Sequence, residues 1–135
     1  MATDTKRIIE LLDQAEVFYL ATTDGDQPKC RPISFKMERD GHVWFGVGTF
    51  KEVYRQLKAN PKCEFTGMLG GKFFRYFGTA VFDEDPTLMA DALEAMPMLK
   101  NIYNDETGNV LGMFYLDDAT FEIRSLFKVE ETVEA

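Results

Sequence analysis

Apolar residues recur along this chain at two different spacings, and those spacings divide it into elements. Ile8, Leu11, Leu12 and Ala15 fall at i, i+3, i+4 and i+7, which predicts an amphipathic helix over residues 4–16 with Thr3 or Asp4 as its cap. Val17 to Thr22 then reads as a strand, and Asp24-Gly25-Asp26 as a turn. Pro28 to Met37 is a second strand. Pro32 lies inside it and removes a ladder donor, so an edge or a bulge is expected there. Arg39-Asp40-Gly41 marks a hairpin turn before a third strand, Val43 to Val47. The period returns to 3.6 at Phe50, Val53, Tyr54 and Leu57, the buried stripe of a helix from Thr49 to Ala59 that Asn60-Pro61 ends. Thr49-Phe50-Lys51-Glu52 has the form of a capping box.

Lys62 to Leu69 is a fourth strand, Gly70-Gly71 a tight hairpin turn, and Lys72 to Phe82 a long fifth strand. Side chains alternate along it, so Phe74, Tyr76 and Phe82 point one way and Phe73, Arg75 and Phe77 the other. Apolar residues on both sides suggest a barrel core on one face and a helix or a partner subunit on the other. Asp85-Pro86 starts another helix with the stripe Met89, Ala92, Leu93 and Met96, and Pro97 stops it. Residues 98–109 read as a short helix and loop. Val110 to Leu116 and Ala119 to Leu126 read as a closing hairpin around Asp117-Asp118, and Glu130 to Ala135 as a frayed acidic tail.

About six or seven strands, most joined by short turns, with two or three helices, predict a mainly β (α+β) fold: an antiparallel barrel with peripheral helices. Strands and helices do not alternate, so a doubly wound parallel sheet is not expected. No GxGxxG or GxxxxGK[ST] follows a strand. The 135 residues show no repeat or linker, and 1–135 is read as a single domain.

A hydrophobic share of 45% and a charged share of 28% describe an ordinary globular chain. The net charge of -8 argues against nucleic acid and anionic membranes as partners, because both need a basic face. A small anion remains compatible, since it senses only the nearest cations. No apolar run is long enough to span a membrane, and the N-terminal residues lack the core of a secretion signal. Cys30 and Cys63 lack CxxC spacing and read as reduced thiols, so a cytoplasmic location is expected. His42 is the sole histidine, and no metal site is expected.

Lys51 is the residue that breaks the local rule. A lysine in a first helical turn is disfavoured by roughly 0.3–1 kcal/mol unless an anion sits nearby. It is either an exposed lysine or, with the free amides of the helix start, part of a phosphate cradle. Gly46 and Gly48 just before it either allow a close backbone approach or serve a plain strand-to-helix turn. Trp44 suits a core or a ligand wall, and no carboxylate pair stands out as catalytic.

The order RPISF, turn, WFGVGTFKEVYRQLKANPKCEF, then GGKFFRYFGTAVF resembles the pyridoxamine 5'-phosphate oxidase-like family of FMN-binding split barrels over nearly the whole chain. The resemblance implies an antiparallel split β-barrel and FMN as the cofactor. Arg31-Pro32-Ile33-Ser34 matches the strand that lies along the flavin, with Arg31 on the phosphate or ribityl chain and the backbone from Pro32 to Ser34 near the ring. Thr49 and Lys51 match the positions that hold the phosphate, and Trp44 to Gly46, Phe45 included, would line the adjoining wall. The family also implies a homodimer with two flavins at the subunit interface, and Arg75 would reach a flavin held mainly by the other subunit. Two departures speak against pyridoxamine 5'-phosphate oxidation itself. Phe50 stands where the oxidases often have a basic residue, and no histidine follows Ile123-Arg124-Ser125. The expected function is thus an FMN-dependent oxidoreductase passing electrons between a nicotinamide or other donor and a small acceptor. The alternative is a non-catalytic split barrel that carries flavin, haem or deazaflavin.

Overall fold

The computed structural model describes residues 3–135. The first helical stripe forms α1 (Thr5–Ala15), capped by Asp4, which accepts the Arg7 N–H at 3.1 Å. Strands β1 (Phe18–Asp24), β2 (Gln27–Ile33), β3 (Met37–Arg39) and β4 (His42–Gly48) follow. Helix α2 (Glu52–Ala59) leads into β5 (Lys62–Leu69) and β6 (Lys72–Asp83). Helix α3 (Pro86–Ala95), a 3-10 turn over Pro97–Asn101, β7 (Leu111–Arg124) and β8 (Val129–Val133) complete the order.

The strands form one antiparallel sheet in the order β2-β1-β5-β6-β7-β4-β3, with β8 added beside β7. Although β2 and β3 are consecutive in sequence, they end at opposite rims of the curled sheet. The barrel therefore stays split. Its interior is aromatic: Phe18, Phe45, Phe65, Phe74, Phe114 and Phe121 are all fully buried. Phe45 stacks on Phe65 at 4.2 Å between centroids, and Phe18 meets both edge-on at 5.9 and 5.6 Å. Burying one such ring is worth roughly 1.5–3 kcal/mol, so these rings dominate the stability of the core. A second, smaller apolar cluster lies between α3, the following loop and the starts of β4 and β7, around Phe35, Trp44, Leu88, Tyr103, Leu111 and Met113.

Four sequence expectations need correction. Asp117-Asp118 is not a hairpin turn: β7 runs through it as one fourteen-residue strand paired along β6. Asp118 has φ 49° and, with Ala119, sits opposite Gly78 at a register shift between Phe77 and Thr79, so these two residues form a bulge while Asp117 stays paired with Thr79. The acidic tail is not frayed. It forms β8, buries Val133 and accepts the Asp4 N–H on the Glu134 carbonyl. The second strand stops at Ile33, and Met37 belongs to β3 on the other rim. Pro28 and Pro32 both lie on β2, an edge strand, where a missing N–H is tolerated.

The fourth correction concerns the start of α2. The Thr49 capping box does not form. The Thr49 N–H donates to the Val110 carbonyl and the Lys51 N–H to Gly48, so the chain makes an extra turn before the helix begins. Lys51 itself becomes the N-cap, with extended backbone and no side-chain cap bond. The helix start thus has no side-chain oxygen to receive its first amides.

The outward face of β1, β5, β6 and β7 carries Tyr19, Thr66, Met68, Phe73, Arg75 and Phe77 by register. Tyr19 and Met68 are exposed there. No helix among the described residues is long and apolar enough to cross a membrane.

Candidate functional site

A cleft opens where the β2 rim faces the end of β4 and the start of α2. Its walls are Arg31 to Phe35 on one side, Gly46 to Gly48 with Lys51 and Val53 on the other, and Met96, Leu99 and Tyr103 across the top. The alternation of β2 turns Arg31 inward, toward α2.

Three neutral acceptors hold the Arg31 guanidinium from behind. It donates to the Leu20 carbonyl at 3.2 Å, to Thr22 Oγ1 at 2.7 Å and to Gln56 Oε1 at 2.7 Å. Thr22 in turn donates to the same Gln56 oxygen at 2.6 Å, which fixes both side chains. Gln56 and Thr22 are buried. Arg7, Arg39, Arg55, Arg75 and Arg124 each form an ion pair with a carboxylate. Arg31 is the arginine that has none among the described residues. Burial holds its guanidinium below the usual arginine value, against the opposing influence of nearby Cys30 and Glu52. The group is thus oriented and charged, and its own protein leaves that charge unpaired.

Lys51 supplies the second cation of the cleft. Its ammonium lies 6.0 Å from the Phe50 ring centroid and forms no ion pair among the described residues. The uncapped first turn of α2 lies behind it and also carries Glu52, in a chain of net charge -8. The floor is glycine for a steric reason. A Cβ on Gly48 would come within 2.7 Å of the Phe50 ring and 2.9 Å of the Tyr103 hydroxyl.

The structure therefore brings Arg31, Pro32, Ile33, Ser34, Gly46 and Lys51 into one cleft, and it places Trp44, Phe45, Thr49 and Arg75 elsewhere. Phe45 is wholly inside the barrel, and Trp44 is buried with its indole N–H donating to the Arg39 carbonyl at 3.0 Å. Thr49 faces a separate hollow with Tyr54 and Phe82. Arg75 is locked to Glu64 through two bonds of 2.7 and 2.9 Å on the outer face. His42 stacks on Tyr115 at 3.9 Å, away from the cleft. Sequence reasoning missed Gln56, Thr22, Met96, Leu99 and Tyr103. Only Gln56 left a usable signal, a polar residue on the buried stripe between Val53 and Leu57.

The sequence model described as pyridoxamine 5'-phosphate oxidase matches residues 4–114. A NimC/NimA family protein from Clostridium acetobutylicum is 35% identical in sequence, with a TM-score of 0.86 over 98% of this chain and 94% of that one. A second protein from that organism, related to general stress protein 26 and ascribed to the pyridoxinephosphate oxidase family, shares the fold. It is 13% identical, with a TM-score of 0.71 over 96% of this chain and 93% of the other. A haem-binding protein from Mycobacterium smegmatis is 17% identical, with a TM-score of 0.67 over 92% of this chain but 55% of its own. No curated protein matches the chain in sequence. The fold is a split barrel, and the family match extends across most of it. The chain belongs to the pyridoxamine 5'-phosphate oxidase family.

Proposed function

We propose that this cleft binds FMN and that the protein is a flavin-dependent oxidoreductase, passing electrons between a nicotinamide or other donor and a small acceptor. One observation carries the reading: a guanidinium held by neutral acceptors, without a carboxylate, opens on the same cleft as Lys51. Two unpaired cations beside an uncapped helix start call for an anion, and a phosphomonoester meets the cations and the amides together. The residues present fit the group. Arg31 and Lys51 would hold the phosphate, and the backbone from Pro32 to Ser34 would lie along the rest of the cofactor. When bound, the flavin supplies the redox chemistry, and the chain supplies binding, orientation and exclusion of water.

The same reading makes the protein a homodimer with cofactors at the subunit interface. The cleft of one chain encloses about 210 Å³, less than the roughly 300–1,000 Å³ of pockets that surround a ligand of this size. A second chain would complete the wall, and the outer face of β1, β5 and β6, where Tyr19 and Met68 are exposed, offers a surface for it. Pyridoxamine 5'-phosphate oxidation is not part of the proposal. A cytoplasmic location is, on the support of two cysteines that are both free thiols.

The test is a visible spectrum of the purified protein with and without added FMN, followed by NADH and NADPH. Bound flavin that either donor bleaches supports an oxidoreductase, whereas flavin that neither bleaches supports a carrier. Lys51→Ala should weaken FMN binding roughly 10- to 100-fold, the worth of a hydrogen bond to a charged group. Protein that stays colourless with excess FMN overturns the proposal.

A further inference from the structure

The cleft contains one polar side chain that neither the family's motif nor the cation pair accounts for. Tyr103 lies just beyond the 3-10 turn, where its N–H donates to the Leu99 carbonyl at 2.9 Å and fixes the ring over the cleft. The residue is only 5% exposed, yet its hydroxyl has no hydrogen-bond partner among the described residues. The ring is buried while the hydroxyl is not sealed off, since no buried side-chain oxygen or nitrogen among the described residues lacks a partner. The hydroxyl borders the cleft instead. Its position along the cleft is fixed by Gly48: a Cβ there would lie 2.9 Å from the Tyr103 oxygen. The Gly48 carbonyl accepts the Lys51 N–H at 3.0 Å, so Tyr103 stands over the turn that delivers the lysine.

We propose that Tyr103 is a further ligand-binding residue, a neutral third donor to the anionic group held by Arg31 and Lys51. Burial raises its pKa above the ordinary phenol value, so the hydroxyl keeps its proton at neutral pH and can only add a donor, not a competing negative charge. The three groups then divide the work. Arg31 and Lys51 supply charge, and Tyr103 supplies direction from the opposite wall. The inference rests on the phosphomonoester reading of the cleft and adds to it a residue outside the β2–α2 unit.

Tyr103→Phe removes one oxygen and breaks no bond in the ligand-free protein, so its melting temperature without ligand should match that of the parent. Affinity for FMN should fall roughly 10-fold or more, as expected for a donor to a charged oxygen. Affinity for riboflavin, which lacks the phosphate, should not change. Fluorescence titration of both flavins against both proteins reads this ratio without any turnover. Equal losses for FMN and riboflavin, or no loss for either, overturn the role of Tyr103 while leaving the FMN reading intact. A parent protein that binds neither flavin overturns both.

Discussion

At the scale of single residues, burial shifts the titration of groups beyond the cleft as well. Cys63 on β5 is buried, and desolvation pushes its thiol up to about 12. The unfolded thiol titrates near 8.5, so its folded value is raised. The folded state therefore keeps its full stability below about pH 8.5 and loses it as the pH climbs toward 12. Urea unfolding at pH 8 and near pH 10.5 should differ by roughly 2.5 kcal/mol on this account, and Cys63→Ala should remove that part of the difference. Tyr76, raised in the same direction by burial, adds to the loss at still higher pH. An unchanged pH profile in Cys63→Ala would rule the thiol out as its source. Lys51 could be singled out from the sequence because it breaks a local expectation, and Arg31 because its strand resembles the family pattern. Tyr103 could not be. An aromatic residue in a polar loop looks the same whether its hydroxyl is satisfied or free, and only the packing of α3 and the 3-10 turn against β4 distinguishes the two.

At the scale of elements, β6 and β7 carry the fold, and their one irregularity is its tightest point. Gly78 sits in the register shift, where a Cβ would come 2.8 Å from the Asp117 carbonyl and 3.0 Å from the Ala119 Cα. Both obstacles are backbone and neither can rotate away. Gly78→Ala should therefore destabilise the protein by about 1–3 kcal/mol in a denaturant titration, and a neutral result would show that the bulge can relax. The bulge also explains the misread hairpin. A short polar residue at positive φ is the mark of a turn and of a bulge alike, and the difference lies in whether the partner strand, β6, continues past it. The frayed-tail reading failed for a related reason. Val-Glu-Glu-Thr-Val on an edge strand needs only one inward apolar residue, Val133, and a single valine makes no pattern. The capping box at Thr49 failed because β7 competes for the same backbone: the Thr49 N–H joins Val110, and the helix starts three residues later. Elements set by local periodicity, such as α1 and the hairpin of β5 and β6, were legible. Those set by long-range pairing were not.

At the scale of the whole molecule, the proposed dimer turns on the outer sheet. Ion pairs Arg75–Glu64 and Arg124–Glu122 lie among Phe73, Phe77 and Met68 on that face, a mixture suited to a subunit contact. Sedimentation should give the mass of a dimer. Phe73→Asp, which places a charge in the middle of the face, should give monomers that also bind FMN more weakly. A monomeric parent that binds FMN fully would detach the cofactor from the dimer. The overall architecture was legible because short turns and a scarcity of long crossovers leave few alternatives to an antiparallel barrel.

The split in that barrel leaves β2 as a free rim, and its prolines have a further effect. An unprotected strand margin invites other chains to line up against it and seed amyloid-like growth. Pro28 and Pro32 withhold donors along that margin, so a stray strand finds too little to dock on. The opening proposed to admit a ligand is thereby kept from becoming a route to fibrils.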